Sequence, residues 1–221
     1  MNIGIIGTGM VAKHIGSALV ALGHSIKLGS RTADHEGAAA WAQEAGDNAS
    51  HGTFADAAAF GEVVMNAVAG LHTLAALDAA QPQNLAGKVL MDISNPLDFS
   101  QGFPPSLSVA NTDSLGEQIQ RQLPQSHVVK VFNTVAHPLM TNPTALAGGD
   151  HTLLICGNDD GAKAQVTGWM REWFGWKDIL DVGDITCARG TEAWLLLWTR
   201  LYGKFQSPMF SLKIVRAEGQ S

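Results

Sequence analysis

Runs of apolar residues alternate with helically spaced segments from one end of the chain to the other. Apolar stretches predict strands near Asn2–Ile6, Ser25–Gly29, Val63–Val68, Val89–Ile93, Val128–Phe132, Thr152–Cys156 and Ile179–Val182. Several are uninterrupted by polar residues, as expected for strands covered on both faces. In the first intervening segment Val11, Ile15, Ala18, Leu19 and Leu22 share one stripe, which Gly23 stops. Further helices are predicted at Glu36–Glu44, Leu71–Ala80, Ser114–Gln122 and Gly161–Phe174. Alternation at this rhythm implies an α/β fold with a doubly wound, mostly parallel sheet.

Two segments depart from the rhythm. Asn95 to Ser114, "NPLDFSQGFPPSLSVANTDS", carries three prolines and reads as a long excursion after a strand's carboxyl end. The tail, "ARGTEAWLLLWTRLYGKFQ", reads as a C-terminal helix with Trp194, Leu197, Trp198 and Leu201 on one face. That face suits packing on the domain or on a second subunit, and the pattern does not separate the two.

With 221 residues, 46% of them hydrophobic and 15% charged, the chain can build one sizeable core. A net charge of −6 argues against nucleic acid or an anionic membrane as partner. No stretch approaches the roughly 18 apolar residues of a membrane span, and no secretory signal is visible, so a cytoplasmic location is expected. Cys156 and Cys187 are far apart, and the eight histidines form no ligand pair, so no metal site is expected.

"GTGMVA", Gly7 to Ala12, is a G-x-G-x-x-A turn directly after the first strand and before the first helix. Gly7 permits the tight turn, Gly9 lets backbone approach a pyrophosphate, and Ala12 and Gly16 keep the helix close. The helix start offers unpaired amides to phosphate. An acid that would accept the adenosine ribose hydroxyls is missing: Gly29 stands there, followed by Ser30 and Arg31. A hydroxyl and a guanidinium suit a 2′-phosphate, so NADP(H) is the expected ligand. The alternative is that Ser30 and Arg31 only begin a solvated loop. On this reading residues 1–221 form one NADP-binding Rossmann domain, with 150–221 a smaller strand–helix extension.

These residues, together with "VFNTVAHPLM" (Val131 to Met140), "CGNDDGAK" (Cys156 to Lys163) and "DVGDITCARGTE" (Asp181 to Glu192), resemble the coenzyme F420-dependent NADP oxidoreductases. They also resemble the NADPH domain of the STEAP ferric reductases. The resemblance implies that Thr8, Met10 and Val11 line the pyrophosphate turn and that Ser30 and Arg31 hold the 2′-phosphate. It implies that Ala67, Val68, Ala69 and Asn95 edge the ribose and nicotinamide. Where the family often has a second basic residue, Thr32 stands here, and a lysine four beyond the arginine becomes His35, which contributes when protonated. The long excursion after Asn95 is unlike the compact deazaflavin enzymes.

Ligands of a doubly wound sheet meet at the strands' carboxyl ends, which gathers Ala67–Ala69, Ser94–Pro96 and Asn133–His137 around a nicotinamide. His137 is the candidate for handling a proton. Against it stands a structural role, as a cap or loop hydrogen bond, which a His-Pro pair more often has. Asn133 and Thr134 either orient an amide edge or bond local backbone. Asn158-Asp159-Asp160 is expected to cap the following helix rather than to hold a metal, Trp169 and Trp173 to pack together, and Arg189 and Glu192 to pair with each other. A short-chain dehydrogenase is excluded because the single tyrosine, Tyr202, has Gln206 rather than lysine four residues on. The expectation is an NADPH-dependent oxidoreductase, a homodimer, passing hydride to F420, a flavin or another small acceptor. The alternative is a non-catalytic NADP(H)-binding redox sensor.

Overall fold

The computed structural model describes residues 1–217. The first half alternates β1 (Asn2–Ile6), α1 (Met10–Ala21), β2 (Ser25–Ser30), α2 (Glu36–Ala45), β3 (Ala49–Thr53), α3 (Phe54–Phe60), β4 (Val63–Asn66), α4 (Gly70–Ala79) and β5 (Val89–Asp92). A short ribbon follows, β6 (Leu97–Asp98) and β7 (Ser106–Leu107), then α5 (Leu115–Gln122), β8 (His127–Val131) and α6 (His137–Thr141). The chain continues with β9 (Thr152–Gly157), α7 (Asp160–Phe174), β10 (Asp178–Asp181) and α8 (Ala188–Phe205).

Eight strands make one sheet in the order β10-β9-β8-β5-β4-β1-β2-β3. From β3 to β8 every neighbouring pair is parallel, while β9 runs antiparallel to β8 and β10 parallel to β9. The reversal has a local cause. A parallel return needs a crossover that runs back down the sheet, and the segment between β8 and β9 holds only the five-residue α6 and two 3-10 turns of three residues each, none of which spans that length. The chain stays at the carboxyl end of β8 and starts β9 from there.

Both faces of the sheet are covered, which explains the uninterrupted apolar strands. Ile3 and Ile5 of β1 pack with Ile15, Leu19 and Trp41 on one side. Ile6 faces the other side, with Phe54, Leu77 and Ile119. Gly16 is approached chiefly by the Trp41 ring, to which an added Cβ would come within 2.8 Å. The close approach expected there is therefore between α1 and α2 more than between helix and strand.

Strand β3 and helix α3 escape the hydrophobic pattern. The strand, "ASHGT", lies at the sheet edge with most of its residues half-buried. The helix is seven residues long and starts in a capping box, Thr53 with Asp56. It lies close on β1 and β2: an added Cβ at Gly4 would come within 2.1 Å of the Ala57 carbonyl oxygen, and one at Gly29 within 2.8 Å of the Ala57 Cβ. Gly29 thus lacks a side chain because α3 crosses it.

Helix α8 buries Ala188, Thr191, Glu192, Leu195 and Thr199. The expected stripe sits to one side of this face: Trp194 and Trp198 are half-buried, while Leu197 is 51% exposed. Trp169 and Trp173 stack on each other, as expected, and of the expected capping trio Asn158-Asp159-Asp160 it is Asp159 that caps α7. Among the described residues no helix is long and apolar enough to cross a membrane.

Replacing Gly4 by Ala drives a methyl group into the α3 backbone. Overpacking of this kind costs about 1–3 kcal/mol, and a contact of 2.1 Å to a carbonyl oxygen places Gly4→Ala at or above that range. Urea unfolding monitored by tryptophan fluorescence should show the midpoint fall; an unchanged midpoint contradicts the packing of α3 on β1.

Candidate functional site

The turn after β1 is shaped by backbone contact. Gly7 has φ of +124°, and a Cβ there would lie 2.8 Å from the Ala67 carbonyl oxygen. Its N–H donates to the Gly29 carbonyl at 2.9 Å, tying the turn to the end of β2. At Gly9 an added Cβ would meet nothing within 4 Å. A side chain at Gly9 would therefore fill open space directly before α1. Gly9 also supplies no side-chain cap, and α1 has no acidic residue in its first turn. These features suit the approach of an anion to the helix start.

That turn is one wall of a pocket of about 810 Å³. Gly7, Thr8, Gly9, Ser30, Arg31, His35, Ala67, Val68 and Ala69, all expected from the sequence, line it together. The opposite wall was not foreseen: Phe54 of α3 and His72, Ala75, Ala76 and Ala79 of α4. Small residues at helical spacing leave room for a ligand, and that alanine stripe was the available signal.

The polar groups at the pocket's rim divide differently from expectation. Arg31 is exposed and has no carboxylate partner among the described residues. Ser30 is buried, and its hydroxyl donates to the carbonyl oxygens of Thr32 and, at 3.4 Å, Gly52. In this geometry Ser30 shapes the turn that presents Arg31, and its proton is already committed. His35 caps α2, its Nδ1 accepting the Ala38 N–H at 3.1 Å. The proton of the neutral ring therefore sits on Nε2, which faces the Thr8 hydroxyl at 3.4 Å.

A second cavity, about 210 Å³, opens beside the carboxyl ends of β5 and β8. Val11, Asn95, Asn133 and His137 line it, with Ile93, Thr134, Leu195, Trp198 and Pro208. Met10, 68% exposed, lines neither cavity. Asn95 and Asn133 lock each other: Asn95 Nδ2 donates to the Asn133 carbonyl at 2.8 Å, and Asn133 Nδ2 donates to Asn95 Oδ1 at 3.1 Å. Three residues of this wall carry buried polar atoms with no partner among the described residues, Asn133 Oδ1, Thr134 Oγ1 and Trp198 Nε1. Buried polar groups are rarely left unsatisfied. An acceptor, a hydroxyl and a donor on one wall suit a flat ligand edge bearing both an N–H and a carbonyl. Local backbone bonding by Thr134, one of the two roles open to it, is not observed.

His137 opens α6 as its first residue, with Ala136 at the cap position. It makes no hydrogen bond among the described residues, so the cap and loop-bond roles are both absent. Its ring meets that of His14 edge-on, centroids 5.3 Å apart. His14 Nε2 lies 2.7 Å from the Thr141 hydroxyl. Burial, and then the neighbouring His137, push the His14 pKa below its usual value.

The segment Asp181 to Glu192 pairs differently from expectation. Arg189 reaches Glu117, at 2.6 Å, and its hydrogen bond holds that carboxyl below its usual pKa. Glu192 turns to Lys130, at 2.7 Å. The two do not pair, because neighbours brought in by α5 and β8 take each of them. Burial raises the Cys156 pKa to about 12, so it remains a thiol at neutral pH.

Residues 2–96 match the family described as NADP oxidoreductase, coenzyme F420-dependent. An F420-dependent NADP reductase from Methanocaldococcus jannaschii is 31% identical over 167 residues, covering 74% of this chain and 72% of that protein. The chain belongs to the coenzyme F420-dependent NADP oxidoreductase family. A solved structure from Arthrobacter sp. FB24, of a candidate F420-dependent NADP-reductase, is 46% identical with a TM-score of 0.93. It covers 98% of this chain and 100% of its own. Metalloreductase STEAP3 from Rattus norvegicus is 31% identical over 196 residues, which is 87% of this chain but 36% of that protein. As a member of this family the chain is an NADP-dependent oxidoreductase with a mostly parallel sheet and a C-terminal helix.

The lowered pKa of His14 gives a signed pH effect. Its folded value lies below the unfolded one, so near and below pH 6.5 the unfolded chain binds more protons and stability falls as pH falls. His24, lowered by burial first, acts in the same direction. Thermal melts at pH 7.5 and 5.5 should show a drop for the wild type and a smaller one for His14→Gln, which keeps a polar partner for Thr141. An equal drop in both contradicts the assignment.

Proposed function

We propose that the large pocket takes the adenosine, the pyrophosphate and the nicotinamide-side ribose of NADP(H), and that the small cavity takes the nicotinamide ring. The observation that carries this reading is the pairing of an open glycine turn at α1 with Arg31, a cation with no carboxylate partner among the described residues, across one pocket. Gly7, Thr8, Gly9, Met10 and Val11 form the pyrophosphate turn. Arg31, the Nε2–H of His35 and the Thr32 hydroxyl hold the 2′-phosphate, with Ser30 bracing the turn beneath them. Ala67, Val68 and Ala69 edge the nicotinamide-side ribose.

At the other end Asn95 fixes Asn133, whose Oδ1 joins Thr134 and Trp198 in orienting the carboxamide edge. When bound, NADPH supplies the hydride. A flavin-like acceptor takes up that hydride and one proton. His137, on the cavity wall with no hydrogen bond of its own, is the group we assign to exchanging that proton. Coenzyme F420 is the proposed acceptor, supported by the family and by the named activity of the 31% identical relative. Pairing of two copies through the exposed apolar side of α8, with Leu196, Leu197 and Phe205, belongs to the same proposal.

A charge-assisted hydrogen bond contributes about 1.5–3 kcal/mol, so Arg31→Ala should weaken NADPH binding about ten- to hundredfold. NADH binding should barely change. Calorimetry with both nucleotides checks this, and equal losses would sink the 2′-phosphate assignment. NADPH oxidation followed with F420, FMN, FAD, quinone and ferric chelates tests the acceptor. Turnover with F420 is expected; tight NADPH binding with no turnover on any of them supports the sensor reading instead.

A further inference from the structure

Three charged side chains lie out of water where β5, β8, α5 and α8 meet. Lys130 Nζ lies 2.8 Å from Asp92 Oδ2 and 2.7 Å from Glu192 Oε1, and all three side chains are at most 2% exposed. The excess negative charge is met by the start of α5, whose Leu115 and Gly116 N–H groups both donate to the Glu192 carboxylate at 2.9 Å. Stability alone is a weak reason for such a cluster, because apolar side chains of similar volume often serve as well or better.

The bonds on the far side of Asp92 suggest another reason. Asp92 Oδ1 accepts from Asn66 Nδ2 at 2.7 Å, from the Ser94 hydroxyl at 2.7 Å and from the Ser94 N–H at 3.1 Å. Asn66 ends β4, and its Oδ1 accepts the N–H of Val68 at 3.3 Å. Val68 lines the large pocket. Ser94 precedes Asn95, which reaches across to Asn133 in the small cavity. One buried carboxylate therefore orients the chain leaving β4 and the chain leaving β5, one at each cavity.

We propose that Asp92 is a positioning residue for NADP(H), setting through Asn66 and Ser94 the two loops that the nicotinamide half of the cofactor lies against. This rests on the assignment of that cofactor to the two cavities. Lys130 supplies the countercharge that lets the carboxylate sit there. Glu192, at the other end of the cluster, serves α5 and touches neither loop.

Asp92→Asn and Glu192→Gln separate these roles. Each leaves Lys130 with one carboxylate, so neither buries an unpaired charge. An asparagine at 92 has one acceptor oxygen and cannot satisfy Lys130 on one side and Asn66 with Ser94 on the other. Both variants should unfold at lower urea than wild type. Only Asp92→Asn should raise the NADPH Kd, by about tenfold or more, as misplaced binding groups do. It should change the Kd of 2′,5′-ADP by less than about threefold, because that ligand lacks the nicotinamide half. A merely structural carboxylate would not separate the two ligands. If Asp92→Asn does not fold, Ser94→Ala removes one bond without touching a charge and should shift NADPH in the same direction. The proposal fails if folded Asp92→Asn, or failing that Ser94→Ala, binds NADPH as wild type does, or if Glu192→Gln loses as much. Wild-type protein that binds no NADPH overturns the proposed function, and this inference with it.

Discussion

A helix can offer its first amides to a ligand only if no side chain of its own takes them. In α1 this condition is met by Gly9, which has nothing to cap with, and by Gly7, whose positive φ turns the chain against the Ala67 carbonyl. The same contact sets how near β4 comes to the turn, and so where Ala67 to Ala69 stand in the pocket. Most of the site's geometry follows from it. Helix α3 must pack tightly on β1 and β2, α4 must show alanines to the pocket, and the pocket proposed for the adenosine opens between them.

Charge is placed with equal economy. The chain carries a net charge of −6, yet the rim of the pocket presents Arg31, which has no carboxylate neighbour among the described residues. Other cations are engaged: Lys130 with two buried carboxylates, Lys163 with Asp160 and Asp181, Arg189 with Glu117. A cation that is solvated and unpaired keeps its full attraction for an incoming phosphate, whereas one already bridged must first give up a partner. In the proposed reading, selectivity for a 2′-phosphate is tied to a residue outside the glycine turn itself, on the loop that Ser30 braces.

The small cavity shows a different logic. Three of its polar atoms, from the residues after β8 and from α8, have no partner among the described residues. Trp198 connects this wall to an aromatic group with Tyr202 and Phe210. The C-terminal helix therefore has two tasks. One face anchors it by Leu195, Thr199 and the Glu192–Lys130 pair, and the adjacent face closes the cavity.

What the sequence determined by itself was whatever short-range chemistry specifies. Seven strands, the glycine turn, a cap within Asn158-Asp159-Asp160, the missing acid at the end of β2 and the family itself could all be read there. Each depends on residues within one or two turns of each other, or on apolar runs long enough to stand out. Strand β3 and helix α3 could not be read, because an edge strand of half-buried polar residues carries no apolar run and seven residues hold barely two helical turns. Only the tertiary structure decided who pairs with whom. Arg189 and Glu192 sit three apart on one helix, yet each binds a group more than sixty residues away. Ser30 and His35, expected to face a phosphate, are partly engaged by their own loop and by α2. Trp198 enters the second cavity from the far end of the chain. Such contacts are set by how elements cross after they form, and no local pattern encodes a crossing.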